Sequence, residues 1–213
     1  MGRAARRPLS ALLGALLQRY ARAEADAIAP FVVGSRVLDL GAGEGYVAPA
    51  LVRRAGAWVC SVDVGPFARA HTPYVTYDGE RLPFGDGAFD TTLLLLTLHH
   101  CAAAERVLDE AVRVTRARLI VVESVWRHGL DLFWLRVLDG RVNRLRHAGH
   151  MPAATRFRRS EEWSAIFGAR RLECVASRWL GSRWERLFHH PRLWALDVGG
   201  HVGARRSDDL VGA

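Results

Sequence analysis

Three glycines, Gly41, Gly43 and Gly45, follow directly on the apolar run Val37-Leu38-Asp39-Leu40. Lacking a Cβ, each can take a left-handed backbone and let a ligand lie against the main chain. The helix expected to start at residue 45 points its free N–H groups at the same spot, where a carboxylate or a ribose can be held. Asp39 stands two residues before the turn, and Asp63 ends the next apolar run, 18 residues after Gly45. A carboxylate at the end of a second parallel strand accepts hydrogen bonds from both hydroxyls of a ribose. The spacing is G-x-G-x-G, whereas dinucleotide dehydrogenases carry G-x-G-x-x-G. Asp78 and Gly79 end a third run.

His99 and His100 follow a fourth apolar run, at the strand end where open α/β sheets bind ligands. Imidazole titrates near neutrality, so either ring could deprotonate a hydroxyl or amine nucleophile. The plainer alternative is a histidine packed beneath the loop. A metal site from His99, His100 and Cys101 is disfavoured, because adjacent residues rarely converge on one ion. His189-His190 before Pro191 reads as a turn. Tyr20 and Arg22 lie on a predicted N-terminal helix, Arg22 as a surface residue.

These residues need a scaffold, and the chain supplies an alternation of short apolar runs with helical periodicity. Strands are expected at 36–40, 57–63, 74–77, 89–96 and 119–122, with helices at 9–28, 45–55 and 102–114 between or before them. Such alternation implies βαβ units with right-handed crossovers. The tryptophan- and leucine-rich stretch after Ser124 reads as one long amphipathic helix over 125–148, then a polar loop to Pro152. It would cover the sheet edge, wall an apolar substrate pocket or dock on a membrane surface. A further helix should start with Ser160 as its cap, and strands at 171–179 and 193–198 close the chain.

The 213 residues suit one domain, here divided into an N-terminal helix (1–30), a ligand-binding core (31–124), a covering segment (125–160) and a C-terminal helix with strands (161–213). Formal charge is +8, and all 30 basic residues are arginine, with no lysine. That skew weakens the usual step from a basic chain to a nucleic-acid partner, and no basic run interleaved with aromatics stands out. Cys60, Cys101 and Cys174 are odd in number and lack a C-x-x-C, so a disulfide framework or zinc knuckle is not indicated and a cytoplasmic setting fits. Residues 1–17 superficially resemble a signal peptide, but the pattern continues as an amphipathic helix, and no apolar run is long enough to span a membrane.

Asp39 with G-x-G-x-G resembles motif I of the class I S-adenosylmethionine-dependent methyltransferases. Leu82-Pro83-Phe84, Phe89-Asp90, Leu98-His99-His100, Glu105–Glu110 and Phe157–Trp163 resemble the type 11 group of that family. The resemblance covers about residues 30–180 and is most specific over 37–100. It implies a Rossmann-like, seven-stranded, mostly parallel sheet in a three-layer αβα sandwich, and S-adenosylmethionine as cofactor. Asp39, Gly41, Ala42, Gly43 and Gly45 would hold its methionine end. Asp63 and Val64 would take the ribose, Asp78 and Gly79 the adenine, Leu96 and Thr97 would complete the pocket, and the N-terminal helix with Tyr20 and Arg22 can close over the cofactor. The implied activity is methyl transfer to O, N or C of a small, partly apolar molecule. The same signature would also serve a non-catalytic cofactor-binding partner, or an RNA methyltransferase with an arginine face. No Asn-Pro-Pro-Tyr follows the fourth strand and no Pro-Cys nucleophile is present, which leaves the acceptor open.

Overall fold

The computed structural model describes residues 3–137, 156–181 and 190–199, with side chains from Gly14 onward in the first helix. Its centre is a seven-stranded sheet. The strands are β1 (Arg36–Leu40), β2 (Trp58–Asp63), β3 (Tyr74–Thr76), β4 (Phe89–Leu95), β5 (Thr115–Ser124), β6 (Leu172–Trp179) and β7 (Pro191–Val198), in the order β3-β2-β1-β4-β5-β7-β6. The first five run parallel, and β7 is antiparallel to both β5 and β6. The mostly parallel seven-stranded sheet expected from sequence is present.

Central strands are buried on both faces, so they carry continuous apolar runs. Val37, Leu38, Leu40, Leu93, Leu94 and Leu119 to Val122 are all shielded from solvent. Helix α3 (Ala104–Val114) seals one face with Val107, Leu108, Ala111 and Val114, helped by Trp163 and Phe167 of α5 (Ser160–Ala169). The other face is closed by Ile28 at the end of α1 (Arg3–Ile28) and by Ala48 and Leu51 of α2 (Val47–Ala55). Two apolar clusters, one per face, make the three layers.

Several boundaries shift from expectation, α1 beginning at Arg3, α2 at Val47, α3 at Ala104 and β7 at Pro191, and three further departures have a visible cause. β5 begins at Thr115, four residues before the predicted strand, because polar Thr115, Arg116 and Arg118 interrupt the apolar pattern. Thr115 is nonetheless buried, its hydroxyl bonded to Thr92 at 2.6 Å, and Arg118 pairs with Asp197 of β7 at 2.7 Å. In α5, Ser160 is the first helical residue rather than the cap; Arg159 caps, its N–H held by the Glu162 carboxylate at 2.6 Å. The helix expected from residue 125 does not start there. Val125 bridges to Arg158, and helix α4 covers 129–137 among the described residues. The remainder of the 125–148 expectation, the loop to Pro152 and His189 lie outside the described residues.

Strand order reverses between β1 and β4, so the loops leaving these two strands diverge and open a crevice at the carboxyl edge of the sheet. That crevice holds the site.

Candidate functional site

The turn after β1 has the backbone that glycine permits. Gly41, Gly43 and Gly45 have φ of 77°, 53° and 74°. A Cβ on Gly41 would stand 2.2 Å from Thr97 Cγ2, so the turn lies directly on the residue leaving β4. Gly41 and Ala42 donate their N–H groups to the Val62 carbonyl at 2.8 and 3.1 Å, which ties the turn to β2. The Asp63 carboxylate accepts from Gly43 N–H at 2.8 Å and from Val64 N–H at 2.7 Å. From β3, the Tyr74 hydroxyl reaches the carbonyls of Gly43 (3.0 Å) and Gly65 (3.1 Å). Tyr74 thus braces the turn from a third strand, a role its sequence position does not reveal.

Above the turn lies a cavity of about 860 Å³, within the range of small-molecule and cofactor sites. Of the predicted residues, Asp39, Gly41, Ala42, Gly43, Asp63, Val64, Gly79, Leu96, Thr97 and His100 line it. Three others do not. Gly45 shapes the underside of the turn, its N–H bonded to Ala42 O at 2.9 Å. Asp78 is exposed, and its carboxylate caps its own loop by accepting from Glu80 and Arg81 N–H at 2.8 and 3.0 Å; its neighbours Tyr77, Gly79 and Glu80 form the wall instead. His99 points inward, 4% exposed, with Nδ1 2.5 Å from Glu123 Oε2.

Of the two segments that could cover the cavity, the N-terminal helix does so. Leu17, Tyr20, Ala21 and Glu24, one face of α1 at helical spacing, line the cavity, whereas no described residue of 125–137 does. Arg22 faces a separate surface depression with Arg53 and Arg54. Trp126 lies under the Arg159 guanidinium at 4.1 Å. Leu135 packs inward, while Leu130 and Phe133 face solvent. The i, i+3, i+4, i+7 pattern of α1 was visible in sequence, but the surface it meets was not. Tyr46, Phe67, Cys101, Arg106 and Glu110 complete the lining without any spacing signal.

Electrostatically the chamber is acidic. Glu24, Asp39, Glu44, Asp63, Glu80 and Glu110 face Arg81 and Arg106. Asp39 is 2% exposed and its Oδ2 has no hydrogen-bond partner. Burial, and then the charge of Asp63, push its carboxyl up to about 7. Burial raises the Cys101 thiol to about 11, with Glu123 and Asp63 adding to it. Backbone N–H groups of Glu80 and Arg81 hold Asp78 below the usual carboxylate range.

Residues 38–121 match the family described as "Methyltransferase domain". An "Uncharacterized methyltransferase" of Mycobacterium sp. (strain JLS) is 35% identical over 133 residues, covering 59% of this chain and 50% of the relative. A "Demethylmenaquinone methyltransferase" of Mycobacterium tuberculosis is 39% identical over 97 residues, covering 42% of this chain and 41% of the relative. The chain spans about half or less of the length of these curated relatives. Among solved structures, magnesium protoporphyrin IX methyltransferase of Synechocystis PCC 6803 with bound S-adenosylhomocysteine superposes with a TM-score of 0.59 at 19% identity, covering 83% of this chain and 82% of that one. Geranyl diphosphate methyltransferase in complex with S-adenosylmethionine gives 0.60 at 17% identity, covering 83% and 84%. At these identities the structural likeness establishes the fold.

Proposed function

We propose that this chain, whose core is a class I S-adenosylmethionine-dependent methyltransferase domain, transfers a methyl group to O, N or C of a small, uncharged and partly apolar molecule held beneath α1. One observation carries the reading: the glycine turn, Asp39 and Asp63 meet in a single cavity at the strand-order reversal.

The residues present suit the cofactor. Asp39 Oδ2 is buried without a partner, and a buried polar atom of that kind costs free energy until a donor arrives. An ammonium group is such a donor. The Asp63 carboxylate, fixed by the Gly43 and Val64 amides, lines the cavity, where a carboxylate oxygen that accepts more than one donor can take ribose hydroxyls. S-adenosylmethionine, when bound, supplies a methyl on a cationic sulfur. The protein's work is then alignment, which in favourable cases lowers a barrier by roughly 7–11 kcal/mol. Leu96, Thr97 and His100 line the chamber from the loop after β4, and Tyr20 of α1 lines it from above.

The excess of carboxylates over guanidiniums in the lining supports a neutral acceptor and a cationic cofactor, and it disfavours a polyanion such as RNA. No helix among the described residues is long and apolar enough to cross a membrane. Calorimetric titration with S-adenosylhomocysteine tests the cofactor; absence of binding at high micromolar ligand overturns the reading. For the acceptor, the reduced form of demethylmenaquinone is the first probe, being neutral and apolar and derived from the quinone in a relative's name. Labelled methyl transfer to acidic metabolites but to no neutral one would overturn the acceptor class.

A further inference from the structure

We propose that Glu123 and His99 position His100 as the general base of methyl transfer, an inference that rests on the cofactor reading above. β4 ends in a single 3-10 turn, Leu98–His100, beside the carboxyl end of β5. Glu123, near that end, is fully buried. Its Oε1 accepts Leu98 N–H at 2.7 Å and its Oε2 meets His99 Nδ1 at 2.5 Å.

A carboxylate is expensive to bury, and replacing a buried ionic pair by apolar side chains of similar volume is often neutral or stabilising. Packing alone therefore gives little reason for Glu123 at this place. What it does is clamp the turn twice, by backbone and by ring. Donation from Nδ1 sets the orientation and tautomer of His99. Phe157 stacks on that ring at 5.0 Å, and the His100 ring leans on it at 4.2 Å. With His99 drawn inward, the next side chain of so tight a turn is left facing the cavity, and His100 lines it. His99 acts through its neighbour, and His100 is the residue that meets the acceptor.

The chemistry balances. As an electron pair on the acceptor's oxygen, nitrogen or carbon becomes a bond to the methyl carbon, the sulfur–methyl pair stays on sulfur. The proton the acceptor loses passes to the His100 imidazole and from there to water at the cavity mouth. Among the described residues, the charged groups that share the cavity with His100 are Glu24, Asp39, Glu44, Asp63, Glu80, Arg81, Arg106 and Glu110, with Tyr20, Tyr46, Tyr77 and Cys101 also titratable; His99 lies against it and Glu123 holds His99.

Nuclear magnetic resonance with S-adenosylmethionine isotope-labelled at the methyl reads this placement without an acceptor. The wild-type chain should give a cross-relaxation peak between the bound methyl and the His100 ring. That ring should titrate within about pH 5–8. Glu123→Met, close in size, removes both clamp bonds; it should lose the peak while binding the cofactor within about threefold of wild type, under 1 kcal/mol. If that variant does not fold, His99→Phe keeps the stack on Phe157 without the Nδ1 donor and should lose the peak likewise. A cofactor-bound wild type with no methyl-to-His100 peak overturns the proposal, as does a His100 that never titrates or a peak that survives both substitutions. A wild type that binds no cofactor overturns the cofactor reading instead, and this proposal with it.

Discussion

Asp39 and Asp63 are both buried acids at strand ends, yet they take different work. Asp63 spends its oxygens on two backbone amides, while Asp39 keeps one oxygen without a partner and is pushed up to about 7. Affinity for S-adenosylhomocysteine should therefore rise as pH rises through about 7, where Asp39 loses its proton and can take an ammonium. Asp39→Asn should flatten that profile in calorimetry. Stability runs the other way. The folded value lies above the ordinary 3.8, so the folded chain retains a proton that the unfolded chain has released, and stability falls between about 4 and about 7. Without ligand, Asp39→Asn should be more stable than wild type at about pH 8, by up to roughly 4 kcal/mol, with the gap closing below about pH 4 in denaturant titrations. Asp63→Ala should weaken S-adenosylhomocysteine binding by roughly 1–3 kcal/mol. Unchanged affinity there would remove Asp63 from the ribose site.

The turn after β1 is held from three strands, and each support can be tested alone. Gly41→Ala combines a φ of 77° with a Cβ 2.2 Å from Thr97; left-handed backbone alone costs about 1–2 kcal/mol. Thermal melting should show a clear loss, with cofactor binding impaired. Tyr74→Phe removes the hydroxyl that reaches the Gly43 and Gly65 carbonyls, and should cost about 1 kcal/mol of stability. Tyr74 escaped sequence reasoning because an aromatic in a short strand looks like any other strand residue. Glu123 escaped it because the apolar run of β5 ends at Val122, while the strand continues to Ser124.

Across the whole molecule, the chamber draws on β1, β2, the loops after β3 and β4, α3 and α1. Hydrogen exchange should therefore slow on S-adenosylhomocysteine binding at 17–24, 41–47, 79–81 and 96–103, and stay unchanged over 129–137. Protection of 129–137 without protection of 17–24 would return the cover to the segment after β5. The apolar runs, the glycine spacing and the acids at strand ends were legible from sequence, because strand burial and tight turns are written in local residue type and period. From these the sheet, the turn and most of the lining followed. Which histidine lines the cavity, that Asp78 turns to its own loop, and that α1 rather than the described part of α4 lines the chamber were decided only by tertiary structure. Those outcomes depend on contacts between residues far apart in the chain: Glu123 drawing in His99, Thr97 lying against Gly41, α1 packing against α2. No local pattern encodes which of several chemically suitable partners a side chain will meet.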